Sequence, residues 1–170
     1  MQSFASIQAE YQRLDPWGYK SNPDDQKRKR YIMAALMMAT QGRPYEYALD
    51  IGCGEGFITR DLPARYIYGY DCSKTAMSRL PEHVRQIDNG MLTGKYDLVI
   101  TTGTLYHHYM AVDIIETIRK HASGIVLTSH IRHWELPEVA ALFPNQLFEM
   151  EFPYNSCGND YVQKLRVFQV

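Results

Sequence analysis

Short apolar stretches recur along the chain after residue 46, and most contain β-branched or aromatic side chains. That composition is typical of β-strands. Segment 124–129 is apolar on both faces, as expected for a strand buried in a parallel sheet. Two later segments alternate polar and apolar residues around a turn rich in Asn and Gly, which predicts an antiparallel hairpin. The predicted strands are 47–51, 66–70, 83–87, 96–101, 124–129, 146–152 and 161–170.

Helical spacing of apolar residues predicts helices between these strands. The first is capped by Asp24 or Asp25 and runs to about Thr40. The others are a helix through Phe57, Ile58 and Leu62, a short helix capped by Ser73 and limited by Pro81, a central helix over 105–122 with Met110, Ile114, Ile115 and Ile118 on one stripe, and a short helix over 134–143.

Strands that alternate with helices and end in a hairpin predict an α/β fold. We expect a Rossmann-like, doubly wound, mostly parallel sheet of about seven strands with a C-terminal antiparallel hairpin. The 170 residues fit one domain, with 1–45 as an N-terminal lid and helix segment and 46–170 as the core. Ligands of such sheets bind at the carboxyl ends of the strands.

Composition restricts the partners. A formal net charge of −1 argues against a protein held to nucleic acid by general electrostatic attraction, and the basic run 27–30 is predicted to be a solvated helix face. The three cysteines form no Cys-x-x-Cys pair. Residues 1–13 lack a signal-peptide core, and the longest apolar run, 31–39, is too short to span a bilayer. We expect a cytoplasmic monomer or homodimer without a membrane partner.

A glycine-rich loop follows the first predicted strand. Gly52, Gly54 and Gly56 stand between that strand and the next helical segment, where glycine lets the backbone turn sharply and lets a ligand approach closely. Asp71, 17 residues beyond Gly54, ends the following strand and is placed to accept hydrogen bonds from a ribose diol. The loop therefore predicts a nucleotide-type ligand.

A nicotinamide dinucleotide is the main competing ligand. Its loop would have a third glycine at position 57, where this chain has Phe57. Asp50, just before the loop, would repel a pyrophosphate, whereas it could hold backbone amides or a ligand ammonium. The loop therefore suits a zwitterionic amino-acid ligand better.

These residues resemble motif I of the class I methyltransferases that use S-adenosylmethionine (SAM) and release S-adenosylhomocysteine (SAH). The resemblance implies that Asp71 binds the ribose and Asp88 meets the adenine amino group, and 96–100 is similar to the family's fourth-strand motif. The implied cofactor-binding residues are Asp50, Gly52, Cys53, Gly54, Gly56, Asp71, Cys72, Asp88 and Thr102.

The N-terminal segment is similar to a narrower group. Residues 15–19, before a helix with Lys27, Lys29 and Tyr31, resemble the NodS-like methyltransferases, which N-methylate a sugar amine. The resemblance implies a lid that closes over cofactor and acceptor, in which Trp17 and Tyr19 exclude water and can stack on a ring. The alternative is a hydrophobic anchor for the terminus.

Histidines near the ends of predicted strands are candidate bases for an amine or hydroxyl acceptor. His107, Tyr106 and His130 are the predicted catalytic residues; His130 and His133 lack further spaced ligands, so no metal is expected. The chain lacks the signatures of DNA amino-methyltransferases and of cytosine C5 nucleophiles. We expect methyl transfer to nitrogen or oxygen of a small-molecule or sugar/glycan acceptor; the alternative is a non-catalytic SAM-binding module or partner subunit.

Overall fold

A seven-stranded sheet with the order β3-β2-β1-β4-β5-β7-β6 forms the centre of the computed structural model, which describes residues 4–88, 92–106, 111–141, 144–156 and 158–170. Neighbouring strands from β3 to β5 are parallel, and β7 is antiparallel to both β5 and β6. The strands are β1 (Tyr45–Ile51), β2 (Ala64–Tyr70), β3 (Val84–Gln86), β4 (Tyr96–Thr102), β5 (Ala122–Ile131), β6 (Asn145–Ser156) and β7 (Asn159–Gln169).

This topology confirms the predicted α/β, Rossmann-like sheet with its C-terminal hairpin. The apolar strands β1, β4 and β5 lie inside the sheet, where helices and neighbouring strands bury their side chains. The order in which strands are added to the sheet reverses at the β1–β4 contact: β2 and β3 lie on one side of it, and β5, β7 and β6 lie on the other. Crevices for ligands open at such a switch point, beyond the carboxyl ends of the strands.

Four α-helices are described: α1 (Phe4–Glu10), α2 (Pro23–Ala39), α3 (Lys74–Met77) and α4 (Ala111–His121). Ile32 and Leu36 of α2 pack in the apolar layer on one face of the sheet, and Ile115 and Ile118 of α4 pack in the layer on the other face. Ser73 caps α3 through its side chain, as predicted. Within the described ranges, no helix is long and apolar enough to cross a membrane.

The start of α2 differs from the prediction. Asn22, not Asp24 or Asp25, is the cap: its side chain accepts from the Asp24 N–H, and Pro23 takes the first helical position. Proline suits that position because its missing N–H would have no partner there. The two aspartates thereby become free to bind other elements.

Three predicted helices are wrong in extent or type. Between Gly56 and Pro63 only a 3₁₀ turn forms, Thr59–Asp61, and Pro63 has no N–H with which to extend it. The segment predicted over 134–143 is instead two 3₁₀ turns, Arg132–Trp134 and Pro137–Ala141, with 142–143 outside the described residues. The predicted helix 105–122 is also too long, since Tyr106 pairs with Glu135 in an isolated β-bridge.

Candidate cofactor and acceptor site

An open cleft lies at the carboxyl ends of β1, β2 and β4. Its floor is the glycine loop that follows β1, and its outer wall is the N-terminal segment, residues 4–22. Gly52 and Gly54 have φ angles of 78° and 54°, in the left-handed region that favours glycine. A Cβ at Gly52 would collide with the Thr104 side chain, and one at Gly54 would lie 2.8 Å from the Tyr11 hydroxyl. The loop therefore requires glycine for its turns and its contacts.

Asp71 connects the glycine loop to the end of β2. Its Oδ2 accepts from the Gly54 N–H at 2.8 Å, and its Oδ1 accepts from the Ser73 N–H at 2.8 Å. Burial raises the pKa of Asp71 above its ordinary value, although both amide bonds act in the opposite direction. Each carboxylate oxygen has a second lone pair. Asp71 can thus hold the loop and still accept hydrogen bonds from a ligand diol.

Asp50 is the most unusual acid of the site. It is 1% exposed, and its Oδ2 accepts a hydrogen bond from the Thr59 hydroxyl at 2.6 Å. Its Oδ1 is buried and has no hydrogen-bond partner among the described residues. Desolvation raises the pKa of Asp50 to about 7. An unsatisfied buried carboxylate oxygen beside a ligand cleft is a ready partner for a cationic group.

The N-terminal segment packs directly on this loop. The buried Tyr11 approaches Gly54, and Trp17 Nε1 donates to the Tyr11 hydroxyl at 3.4 Å. Tyr19 stacks on Phe57 with a centroid distance of 5.6 Å. Gln8 of α1 donates to the Cys72 carbonyl at 3.2 Å. The segment thereby closes one side of the cleft, because it contacts both the glycine loop and the residues that follow β2.

A polar latch fastens the same segment farther along the chain. The Asp15 N–H donates to Glu55 at 3.1 Å, and Arg79 contacts Glu55 at 2.6 Å. Arg79 also donates to the Arg13 carbonyl at 2.8 Å. These contacts join the segment to the glycine loop and to the residues that follow α3.

Aromatic and polar side chains from distant parts of the chain line the remaining wall of the cleft. Tyr106 is buried, and its hydroxyl accepts from the Ile131 N–H at 3.2 Å. Its ring lies edge-on to that of Trp134, with centroids 5.5 Å apart. This wall also includes Arg28, Tyr154 and Gln163.

Most of the predicted site residues that lie in the described ranges meet at this cleft. The residues that line it are Trp17, Tyr19, Asp50, Gly52, Cys53, Gly54, Asp71, Cys72, Thr102 and Tyr106. Gly56 instead faces Leu80 and Pro81, and Asp88 is exposed and does not line the cleft. His107 lies outside the described residues.

His130 is placed differently from its predicted role. Its ring is 0% exposed and does not line the cleft, and neither ring nitrogen has a hydrogen-bond partner among the described residues. Desolvation, with the nearby charges of Arg166 and Arg28, lowers the pKa of His130 to about 3. A general base works best when its pKa is near the operating pH, so a ring with so low a pKa that does not line the cleft is a poor candidate. This placement argues against the catalytic role predicted for His130.

Sequence reasoning missed several residues of the cleft. Tyr11 gave no signal, because a single tyrosine before an irregular segment has no periodic context. Arg28 was assigned to a solvated face of α2, yet it is 4% exposed and pairs with Asp25. The spacing of three residues between that acid and that base was the available clue.

No family model matches the sequence, and no curated protein matches it. The structure does resemble solved proteins. The N-methyltransferase NodS from Bradyrhizobium japonicum WM9, in complex with SAH, has a TM-score of 0.79 at 18% identity, over 99% of this chain and 98% of that chain. Magnesium protoporphyrin IX methyltransferase (ChlM) from Synechocystis PCC 6803, with bound SAM, has a TM-score of 0.61 at 17% identity, over 84% and 79%. Protein 1320 of Thermoplasma acidophilum has a TM-score of 0.67 at 14% identity, over 99% and 98%.

The fold of this chain is therefore that of the class I SAM-dependent methyltransferases. The likeness to NodS indicated by residues 15–19 is confirmed at the level of the fold, since NodS matches along nearly the whole chain.

Proposed function

We propose that this protein is a SAM-dependent methyltransferase. The observation that carries the proposal is the unpartnered Oδ1 of Asp50, a buried acid oxygen beside a cleft built on a glycine loop. The α-ammonium of a SAM methionine moiety would supply the missing cation. The solved relatives NodS and ChlM, which contain SAH or SAM, support this choice of ligand.

Each part of the cleft has a task in this proposal. Asp50 would hold the cofactor ammonium, and Asp71 the ribose hydroxyls. When bound, SAM supplies an electrophilic methyl group on a sulfonium. The chain's contribution is alignment and exclusion of water, for which the aromatic side chains of residues 4–22 and of the opposite wall are suited. Asp88 remains a predicted adenine contact.

The proposed acceptor is a nitrogen or oxygen atom of a small molecule or sugar. The aromatic wall with Tyr106 and Trp134 supports a ring-containing acceptor, because such side chains provide flat apolar contact. NodS is an N-methyltransferase, which supports a nitrogen acceptor, and oxygen remains the alternative acceptor atom in the proposal. His107 remains the predicted base, on the basis of its position after β4 in the sequence.

Calorimetry with SAM, SAH and NAD tests the cofactor assignment. We expect SAM and SAH to bind and NAD not to bind. Turnover is then tested by SAH release in the presence of amine and hydroxyl acceptors. SAH binding without release of SAH from SAM across a broad acceptor set would favour the alternative of a non-catalytic SAM-binding module. Tight NAD binding without SAM binding would contradict the proposal.

A further inference from the structure

Arg28 of α2 is an almost fully buried cation on the wall of the cleft. It is 4% exposed, and its Nη2 lies 2.8 Å from Asp25 Oδ1. Its guanidinium carbon lies 5.1 Å from the centroid of the Tyr19 ring and 5.9 Å from that of Tyr154. Its Nε has no hydrogen-bond partner among the described residues. The guanidinium is therefore held in position, and its Nε–H is still able to donate a hydrogen bond.

Asp25 balances the charge of Arg28 and is itself fully engaged. Besides the ion pair, its carboxylate accepts from the Tyr154 hydroxyl at 3.1 Å and from Asn22 Nδ2 at 3.0 Å. Asn22 is the cap of α2 and Tyr154 lies in β6, so the Asp25–Arg28 ion pair is held in position from both elements. The pair brings no net charge to the cleft wall.

This charge balance decides which group suits the remaining donors of Arg28. An anionic group would add an uncompensated charge to a buried place, and a cation would be repelled by the guanidinium. A neutral oxygen can accept a hydrogen bond from Arg28 without either cost. Gln163, 1% exposed on the same cleft, donates its Nε2 to Ser129 at 2.9 Å. Gln163 therefore adds an uncharged polar group to the same cleft.

We infer that Arg28 is a specificity-determining residue that recognises an uncharged hydroxyl group on the methyl acceptor. The inference rests on the proposed function and specifies its acceptor class: a hydroxyl-bearing, uncharged ring in place of a carboxylate or a plain hydrocarbon. The guanidinium lies within cation–π distance of the rings of Tyr19 and Tyr154, which help to hold it in position.

Three amines that share one cyclohexane ring and differ at its 4-position test this inference: cyclohexylamine, trans-4-aminocyclohexanol and trans-4-aminocyclohexanecarboxylate. Methyl transfer from SAM is measured as SAH release. We expect the kcat/KM of the hydroxylated amine to exceed that of each of the other two by about tenfold or more, because a site that hydrogen-bonds a hydroxyl rejects analogues that lack it. In Arg28→Lys, which keeps a charge opposite Asp25 but loses the planar fork, this advantage should fall to about twofold or less. Arg30→Lys, an exposed position on the same helix, is the matched control and should keep it.

A second variant keeps the test informative if Arg28→Lys does not fold. Asp25→Asn combined with Arg28→Met removes both charges, so no carboxylate is left buried without its partner. Both variants should bind SAH as the wild type does and lose the preference for the hydroxylated amine. Equal turnover of the hydroxylated and plain amines, no turnover of the hydroxylated amine by a protein that methylates the plain amine or another acceptor, or a preference that survives in both variants would overturn the inference. Failure of the proposed function itself is distinguishable, because the wild type would then either not bind SAH or release no SAH from SAM with any acceptor of a broad set, the three ring amines included.

Discussion

Asp71 and Asp50 are neighbouring acids with different tasks, and their surroundings explain the difference. Both oxygens of Asp71 accept hydrogen bonds from backbone amides, whereas one oxygen of Asp50 has no partner among the described residues. Asp71 therefore serves the loop as well as a ligand. Burial makes the charged form of Asp50 costly in the free protein, and a ligand cation that donates to its unpartnered oxygen would offset that cost.

Replacement of Asp71 by Asn tests this double role. An amide has one acceptor oxygen in place of two, so either Gly54 or Ser73 loses its partner. We expect cofactor affinity to fall about tenfold or more, from loss of a charge-assisted hydrogen bond worth roughly 1.5–3 kcal/mol. We also expect the Tm of the free protein to fall by roughly 2–8 °C. Calorimetry with SAH and thermal melts check both effects, with the exposed Glu82→Gln as the matched control. An unchanged affinity would place the ribose elsewhere.

The titration of Asp50 makes stability depend on pH. Its pKa is about 7 in the folded protein against 3.8 ordinarily, so the folded state holds a proton that the unfolded chain has released. Stability should therefore be highest below about pH 4 for this group and decline by up to about 4 kcal/mol as pH rises to about 7. In Asp50→Asn, which keeps an acceptor for Thr59, this decline should disappear. Denaturant unfolding across that range measures it, and parallel curves for the two proteins would contradict the prediction.

At the scale of elements, residues 4–22 are held to the rest of the fold by side-chain contacts and single hydrogen bonds. The segment contacts the glycine loop and the residues after α3 through hydrogen bonds and aromatic packing, and none of its described residues pairs in a strand. Elements held in this way open at low free-energy cost. The described contacts are thus compatible with the lid predicted from Trp17 and Tyr19.

Quenching of Trp17 fluorescence distinguishes a lid from a fixed anchor. With Trp134→Phe removing the other tryptophan, we expect bound SAH to lower the accessibility of Trp17 to acrylamide by about twofold or more, because the segment closes on a filled cleft. Glu55→Gln, which weakens the latch to Arg79, should raise accessibility in the free protein. Accessibility indifferent both to SAH and to the latch variant would favour the anchor.

The elements that could be predicted from sequence are those whose signals are local. The glycine loop and the acid at the end of β2 are fixed by backbone conformation and spacing, so Gly52, Gly54 and Asp71 were found directly. Arg28 and Gln163 reach the cleft only through the packing of α2 and β7, which no local pattern specifies. The helix predicted through Phe57 failed for the opposite reason, since a local apolar spacing indicated a helix where only a 3₁₀ turn forms before Pro63.

At the scale of the whole molecule, the cleft joins parts of the chain that are far apart in sequence. Residues 4–22, β1, β2, β4 and β7 all contribute to its lining, so a ligand that fills it should stabilise the entire fold.

At about one hundred times its Kd, SAH should raise the free energy of unfolding by about 2.7 kcal/mol and the Tm by roughly 5–10 °C. Adenosine alone and methionine alone should each give a smaller shift, because each would engage only one of the acids Asp71 and Asp50. NAD should give none, since its pyrophosphate would meet Asp50. Thermal melts at matched ligand concentrations measure the series. If NAD shifts the Tm as much as SAH does, the cleft binds only the adenosine part that the two ligands share. The assignment of Asp50 to a cofactor ammonium would then be wrong.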